Sequence, residues 1–321
     1  MTSPKISICV SSRNRAPLVQ RLLSSLEQQT VPPDEFEVIV VDDGSDDATP
    51  MVLKEAEANS PLQLRTMRHP SSLGPAAGRN AAWRAARAPY IAFTDDDCVP
   101  LPDWLATGLG EVSAGRRVVV GRVEPNPEQL RRNGLFAHTW VMRAAEMRWF
   151  ATANIFYSRA DLEMLDGFDE RYRNPACEDT DLGLRAEEAD VEVMFCSDAL
   201  VWHDVRPGRA MDKVRDQARW ADIPLVFRSH PDARRQMLHR GLFWKPAHRD
   251  LLLLLAGVAA GARAPAALAL AVPWLHRKLC ADSQGQPWSL LVPALPGLLA
   301  VDVAELVAMI RGSIRHRSLV L

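Results

Sequence analysis

Over its first hundred residues the chain alternates short apolar runs with stretches of helical periodicity, and each apolar run ends in a polar cluster. Ile6 to Val10 reads as a buried strand, the turn-rich Ser11-Ser12-Arg13-Asn14-Arg15 follows, and Leu18, Leu22 and Leu26 then share one helical face. Phe36 to Val41 is a second apolar run, closed by Asp42-Asp43-Gly44-Ser45, with a helix predicted over 49–58. A third strand is predicted at 62–67, a helix at about 75–88, and a fourth strand from Tyr90 to Thr94. This order predicts an α/β domain with a mainly parallel sheet. Such sheets bind ligands beyond the carboxyl ends of their strands, and the polar clusters fall there.

The middle of the chain mixes short strands, at 118–120 and 191–195, with helices predicted over 130–148 and 179–189, as α+β completion of the same domain. Disorder is excluded as the main theme, since 47% of the 321 residues are hydrophobic and 24% charged. The five cysteines, Cys9, Cys98, Cys177, Cys196 and Cys280, show neither CxxC nor ligand spacing. That argues against a zinc site or a disulfide framework and for a reducing cytosol. The N-terminus lacks the charged and apolar regions of a secretory signal, so the catalytic part is expected on the cytoplasmic side.

Charge is uneven. Up to Asp204 there are 21 Lys+Arg against 32 Asp+Glu, and from Val205 onward 17 against 8, so −11 precedes +9. The basic part suits an anionic partner, a phospholipid surface or a nucleic acid. Val205 to Arg249 is dotted with Arg and Trp and predicted helical. Leu251 to Leu275 is almost wholly apolar, broken by Arg263 and Pro265, and Trp288 to Val301 is a second apolar run interrupted by Pro293 and Pro296.

Five places carry candidate chemistry. Tyr90-Ile-Ala-Phe-Thr94 runs into Asp95-Asp96-Asp97, three acids that repel one another unless a cation is present. If the strand geometry continues, Asp95 and Asp97 converge while Asp96 points away. Hard oxygen ligands suit Mg²⁺ or Mn²⁺, which bridge carboxylates to substrate phosphates; a solvated acidic turn is the plain alternative. Asp43 is placed to accept from a base imide or a ribose hydroxyl, or with Ser45 to cap the next helix. Arg79, in Gly74-Pro-Ala-Ala-Gly78-Arg79-Asn80, is placed to meet a pyrophosphate, or to remain a surface Arg. Glu178-Asp179 opens a helix and either caps it or supplies a general base. His203, after another predicted strand, is either a packed histidine or a ligand near a metal.

Taken in order, Ile6-Ser-Ile-Cys-Val-Ser-Ser-Arg-Asn-Arg15, Val40-Val-Asp-Asp-Gly-Ser45, Leu73-Gly-Pro-Ala-Ala-Gly-Arg-Asn80, Phe93-Thr-Asp-Asp-Asp97, Gly167-Phe-Asp-Glu170 and Glu178-Asp-Thr-Asp-Leu182 resemble the family 2 inverting glycosyltransferases of the GT-A fold. The resemblance covers roughly 4–204. It implies that Ser11 and Asp43 hold the nucleotide, Arg79 the diphosphate, Asp95 the ribose or a metal water, and Asp97 the metal. It further implies that Asp179 is the base, with Glu178 beside it. Asp96 completes the donor-side triplet and is expected to tolerate substitution best of the three. Asn154 lies in a stretch similar to the family's donor or acceptor wall. Arg13 departs from the pattern, standing where an aromatic residue often meets the base. Arg also stacks on rings, so a UDP sugar is expected while GDP and dTDP stay open. Gln217-Ala-Arg-Trp220 is similar to the QxxRW motif but one residue short, and no processivity is read from it.

The expected architecture is therefore a Rossmann-like mixed sheet of GT-A type over 1–204, with a donor half to about 104 and an acceptor-side half after it. A basic helical connector at 205–249 and a hydrophobic helical region at 250–321 follow. The expected reaction is inverting transfer from a nucleotide-diphosphate sugar to a hydroxyl of a glycan, a glycolipid or a polyprenyl-phosphate-linked acceptor, with Mn²⁺ or Mg²⁺ and no nucleic acid. A sugar nucleotidyltransferase would want a basic, Gly-rich first loop, whereas Lys is nearly absent before residue 200. A non-catalytic scaffold would show damage at the acids, and none is visible. About 20 apolar residues are needed to span a bilayer, and Arg263 at a helix centre costs about 3 kcal/mol on insertion scales. Basic residues flank every apolar piece, so hairpins dipping into the inner leaflet are favoured over a two-pass anchor. The protein is thus expected on the cytoplasmic face of the membrane, with buried helices of a homo-oligomer as the alternative.

Overall fold

The computed structural model describes residues 3–132, 134–283 and 285–321. It divides into two compact units, residues 1–207 and 208–321.

In the first unit, seven residues without a charged side chain make β1 (Ile6–Ser12), and seven with Glu37 and Asp42 as the charged members make β2 (Phe36–Asp42). Both are buried along nearly their whole length, as parallel strands covered on two faces require. With β3 (Leu64–Arg68), β4 (Tyr90–Thr94), β5 (Cys98–Pro100), β6 (Val118–Pro125), β7 (Asn154–Ser158) and β8 (Val193–His203) they form one mixed sheet of order β3-β2-β1-β4-β7-β6-β8-β5. β1, β2, β3 and β4 are mutually parallel, and β7 is antiparallel to both its neighbours. The crossovers are α1 (Ala16–Leu26), α2 (Thr49–Asn59) and α3 (Pro75–Ala85), and later come α4 (Trp104–Ser113), α5 (Arg159–Met164) and α6 (Glu178–Glu188). Each crossover helix begins with Pro in its first turn, where the missing N–H costs nothing.

The chain leaves β1 toward β2 on one side and returns to β4 on the other, so the strand order reverses at β1. That is the crevice where open α/β sheets bind ligands. Ser11-Ser12, Asp42-Asp43 and Asp95-Asp96-Asp97 all sit at the carboxyl ends around it.

The helix predicted over 130–148 is absent. The described part of that stretch holds two short 3₁₀ segments, Pro127–Arg132 and Ala144–Trp149, and backbone bridges from His138 to Arg206 and from Met142 to Val123. Its polar backbone pairs with β6 and the residues after β8, which outcompetes local helix formation. The strand predicted at 191–195 extends instead to His203, because β8 pairs with both β6 and β5.

The second unit is helical: α7 (Ala210–Asp216), α8 (Ile223–Ser229), α9 (Pro231–Met237), α10 (Pro246–Gly261), α11 (Val272–His276) and α12 (Trp288–His316).

Candidate functional site

β4 ends at Thr94, and Asp95 to Asp97 form a turn closed by Cys98 N donating to Asp95 O at 3.1 Å. The alternation expected of a strand therefore does not apply, and the three carboxylates point to three environments. Asp95 is the most open, its side chain 28% exposed against 5–6% for the others. Asp96 turns inward, accepting from Ser12 Oγ at 2.6 Å and from Arg15 Nη1 at 2.8 Å. Burial, with Asp97 adding to it against the Arg15 charge, pushes Asp96 up to about 6. The expectation that Asp96 tolerates substitution best is thus overturned, since its carboxylate is a buried fastener between β1 and the acidic turn.

Asp97 is surrounded by cations. Arg15 Nη1 donates to its Oδ2 at 2.8 Å, His203 Nε2 lies 3.4 Å from Oδ1, and Arg206 Nη2 lies 3.9 Å from Oδ2. Burial favours the neutral acid, but His203, Arg15 and Arg206 together overcome it and hold Asp97 well below the usual carboxylate range. His203 Nδ1 is 2.9 Å from the Asp204 carbonyl, which can only accept, so Nδ1 carries the hydrogen and Nε2 faces Asp97. An ion bound beside Asp97 would take the Nε2 lone pair of a neutral ring, the arrangement by which a carbonyl orients a metal-ligating imidazole. Among the described residues no three His, Cys, Asp or Glu side chains gather around one point. Asp97 Oδ1 and His203 Nε2 offer two ligand atoms, so a divalent ion there would need substrate oxygens and water to complete its shell.

Arg79, buried in α3, donates through Nη1 to Glu178 Oε1 at 2.6 Å and through Nη2 to Asp95 Oδ1 at 2.7 Å. Its guanidinium also lies 5.9 Å from the Phe168 ring centroid. Arg79 Nε and Glu178 Oε2 are buried and make no hydrogen bond among the described residues, the mark of a site built for a further polar group. Burial raises Glu178 despite Arg79. Asp179 accepts from Thr180 N at 2.7 Å, and burial followed by the neighbouring Glu178 charge pushes it up to about 7. Three acids at the start of α6 also meet the positive end of the helix dipole.

The remaining expected residues separate. Ser11 is half-buried at the end of β1, so close to α3 that a Cβ on Gly78 would lie 2.1 Å from Ser11 Oγ. Arg13 is exposed beyond it. Asp43 accepts from His69 Nδ1, Ser72 Oγ, Leu73 N and Gly74 N at 2.7–3.0 Å, and these bonds outweigh burial and lower its pKa. It ties down the 69–74 loop that leads into α3. Asn154 is fully buried: Oδ1 accepts from Trp104 Nε1, and Nδ2 donates to the carbonyls of Arg122 and Ala199. Its amide fastens α4 and neighbouring strands and has no free face for a ligand. Arg15, Ser12 and Arg206 are the residues that sequence reasoning passed over. Arg15 lies within the quoted Ser11 to Arg15 turn, but its partners are 81 and 82 residues away, so no local signal marked it.

Residues 7–161 match the model of Glycosyl transferase family 2. Validoxylamine A glucosyltransferase of Streptomyces hygroscopicus subsp. limoneus is 26% identical over 282 residues, covering 77% of this chain and 60% of that protein. Pre-mycofactocin glycosyltransferase of Mycobacterium tuberculosis is 30% identical over 241 residues, covering 71% of this chain and 48% of that protein. The chain spans 60–65% of the length of the two validoxylamine A enzymes it matches. Among solved structures, the mannosyltransferase PcManGT of Pyrobaculum calidifontis in complex with GDP-Man and Mn²⁺ aligns with a TM-score of 0.58 at 23% identity, over 99% of this chain and 88% of that one. S. aureus TarS 1-349 in complex with UDP-GlcNAc aligns with a TM-score of 0.54 at 19% identity, over 98% and 92%. These two likenesses establish the fold.

Proposed function

The chain belongs to the family 2 glycosyltransferases and has the GT-A fold, and on that premise we propose that it transfers a sugar from a nucleoside diphosphate sugar to an acceptor hydroxyl with inversion. The observation that carries the reading is the Arg79 bridge. One buried guanidinium ties Asp95, after β4, to Glu178, at the start of α6, and so sets Asp179 within electrostatic reach of the acidic turn.

Asp179 is the general base. It takes the proton of the acceptor hydroxyl as that oxygen bonds to the anomeric carbon and the bond to the diphosphate breaks on the opposite face. A pKa near the working pH suits a group that must accept a proton and then release it. Glu178 and Arg79 hold the start of α6 in place, and the unpartnered Arg79 Nε is a donor for the diphosphate end of the donor. Arg15 and Arg206 add positive charge where the leaving group develops negative charge. Asp97 and His203 would hold Mn²⁺ or Mg²⁺, and the chemistry such an ion would supply is neutralisation of the leaving diphosphate; Asp95 is turned instead to Arg79.

Ser11 and Arg13 bound the nucleotide side, and Asp43 acts on it through the loop it fastens. Asn154 has no contact role with the donor. GDP-Man with Mn²⁺ in one structural relative and UDP-GlcNAc in another support a nucleotide-sugar donor and a divalent ion here; a UDP sugar remains the expected donor. The apolar, basic C-terminal unit favours a lipid-linked or amphiphilic acceptor met at a cytoplasmic membrane face.

The test is a screen of UDP, GDP and dTDP sugars for nucleoside diphosphate release, with and without Mn²⁺. One donor is expected to turn over, and turnover is expected to fall by about 10²–10⁴ in folded Asp179→Asn and to fall steeply in folded Asp97→Asn. Wild-type rates in both variants would remove these roles.

A further inference from the structure

α12 is 29 residues long, with a mean hydropathy of 1.9 across its most apolar stretch, enough by length and composition to cross a membrane. Two of its residues make that use costly. Asp302 and Glu305 are buried at mid-helix and paired within the same unit. Asp302 meets Lys278 Nζ at 2.9 Å and Trp274 Nε1 at 2.8 Å; Glu305 meets Lys245 Nζ at 2.6 Å and His248 Nε2 at 3.1 Å. A third buried carboxylate, Asp250 of α10, takes Arg249 at 2.6 Å and Arg277 at 2.7 Å. These six pairs form a polar girdle across α10, α11 and α12. Carrying it into hydrocarbon would desolvate three paired carboxylates together with their cations.

Apolar side chains are exposed on both sides of the girdle, Val307, Ile310 and Ile314 on the C-terminal side of α12 and a denser set on the other. Leu251, Trp274 and Leu306 make a small core against Leu252, Leu254, Leu295 and Leu299, and the C-terminal half of α10 packs on the 267–270 stretch, Gly257 and Gly261 lying against Ala267, Leu268 and Leu270. Past that core the apolar side chains face outward. Val258 is 60% exposed, Trp288 64% and Leu290 54%, with Leu255, Leu268 and Val292 also exposed. At 1.5 Å per residue, Trp288 to Val301 measures about 21 Å and Leu251 to Gly261 about 17 Å. A bilayer core is about 30 Å thick. These pieces reach through one leaflet and not through two.

We infer that residues 208–321 form a monotopic membrane module, with the apolar ends of α10 and α12 immersed in one leaflet and the girdle lying at the headgroups. The lipid is anionic, because this unit carries 16 Lys+Arg against 8 Asp+Glu. Exposed Arg263, next to the immersed end, reaches back to phosphates along its own aliphatic stem. The inference deepens the membrane part of the proposed function and does not depend on the reaction, since its test involves no turnover.

The full chain is floated with phosphatidylcholine vesicles made with and without phosphatidylglycerol. Wild type is expected to float with the anionic vesicles, and Val258→Asp/Leu290→Asp to lose roughly tenfold or more in partitioning with an unchanged circular dichroism spectrum. Ile314→Asp, altered at a 75% exposed residue at the far end of α12, is expected to bind as wild type does. A bimane on Ser289→Cys is expected to be quenched by lipid-borne nitroxides, and this thiol is expected to escape a reagent sealed inside the vesicles. Labelling from the vesicle interior would overturn the inference in favour of a spanning helix. A wild-type protein that never floats, and whose dimer in buffer becomes monomeric in Val258→Asp/Leu290→Asp, would overturn it in favour of a second copy.

Discussion

Asn80 grips the backbone of Phe168 from both sides, its Nδ2 donating to the Phe168 carbonyl at 2.8 Å and its Oδ1 accepting from the Phe168 amide at 2.9 Å. Arg185 of α6 holds the same loop through the Leu165 and Gly167 carbonyls. The loop therefore joins α3, which carries Arg79, to α6, which carries Glu178 and Asp179, and it sets Phe168 against the Arg79 guanidinium.

Asn80→Ala leaves two buried backbone groups of Phe168 without partners, at about 1–3 kcal/mol each. A fall in Tm is expected. Because Arg79 loses its ring neighbour, kcat is also expected to drop about tenfold, and to drop much less when Arg79→Lys is already present. Thermal denaturation and a double-mutant cycle check this. An unchanged Tm, or fully additive losses in kcat, would contradict the loop's role.

Asp96→Ala removes the shared partner of Ser12 and Arg15 from a buried position. A loss of about 1–3 kcal/mol is expected, because Ser12 is left buried without its partner while Arg15 keeps Asp97. Asp95→Ala, at the open member of the triplet, should cost much less stability. Chemical denaturation of the two variants decides the order, and equal midpoints would refute it.

How far these relationships were legible follows from how local they are. The strands Ile6–Ser12, Phe36–Asp42 and Tyr90–Thr94 announce themselves because a strand covered on both faces must be continuously apolar. The helix at Glu178 is marked by its three first-turn acids. Arg15 gives no such mark, since its partners lie 81 and 82 residues away. The orientation of Asp96 was misread because alternation stops where β4 stops. The 130–148 stretch looked helical because its apolar residues recur at helical spacing, while its backbone pairs with distant segments. Asn154 looked like a ligand wall for a related reason: its partners Trp104, Arg122 and Ala199 are invisible until the sheet is assembled.

The pairing of Asp97 with His203 leads to a metal prediction with a readout apart from activity. Asp97→Asn and His203→Ala are each expected to weaken Mn²⁺ binding, followed by electron paramagnetic resonance in the presence of UDP, by roughly tenfold or more. Ile314→Asp is expected to bind as wild type does. Retained Mn²⁺ affinity in both site variants would place the ion elsewhere.

Glycine positions test packing at the crevice. A Cβ at Gly78 would lie 2.8 Å from Ser11 Cβ, a contact that side-chain rotation cannot relieve. Gly78→Ala is expected to cost about 1–3 kcal/mol and to displace the end of β1. Gly110, within α4, has nothing within 4 Å of such a Cβ. Gly110→Ala is expected to stabilise by about 0.5–1 kcal/mol, because Ala loses less backbone entropy in a helix. Opposite shifts in Tm are required, and a shared sign would refute the packing argument.

Asp179 couples activity and stability to pH with opposite signs. Its carboxyl is raised from 3.8 to about 7 in the folded chain, first by burial and then by Glu178, so between these values the native state holds a proton that the unfolded state has released. The slope of unfolding free energy with pH follows protons bound unfolded minus native, which is negative here. This contribution is complete below about pH 4 and declines as pH rises through 7. Catalysis runs the other way, since only the ionised base accepts a proton, and kcat should climb to a plateau above about pH 7. Asp179→Asn is expected to flatten the stability slope, to leave the fold at least as stable at pH 8, and to lower kcat by about 10²–10⁴. Paired urea titrations and rate profiles across pH 5–9 read both arms. A variant that keeps the acid limb of the rate profile would show that another group is the base.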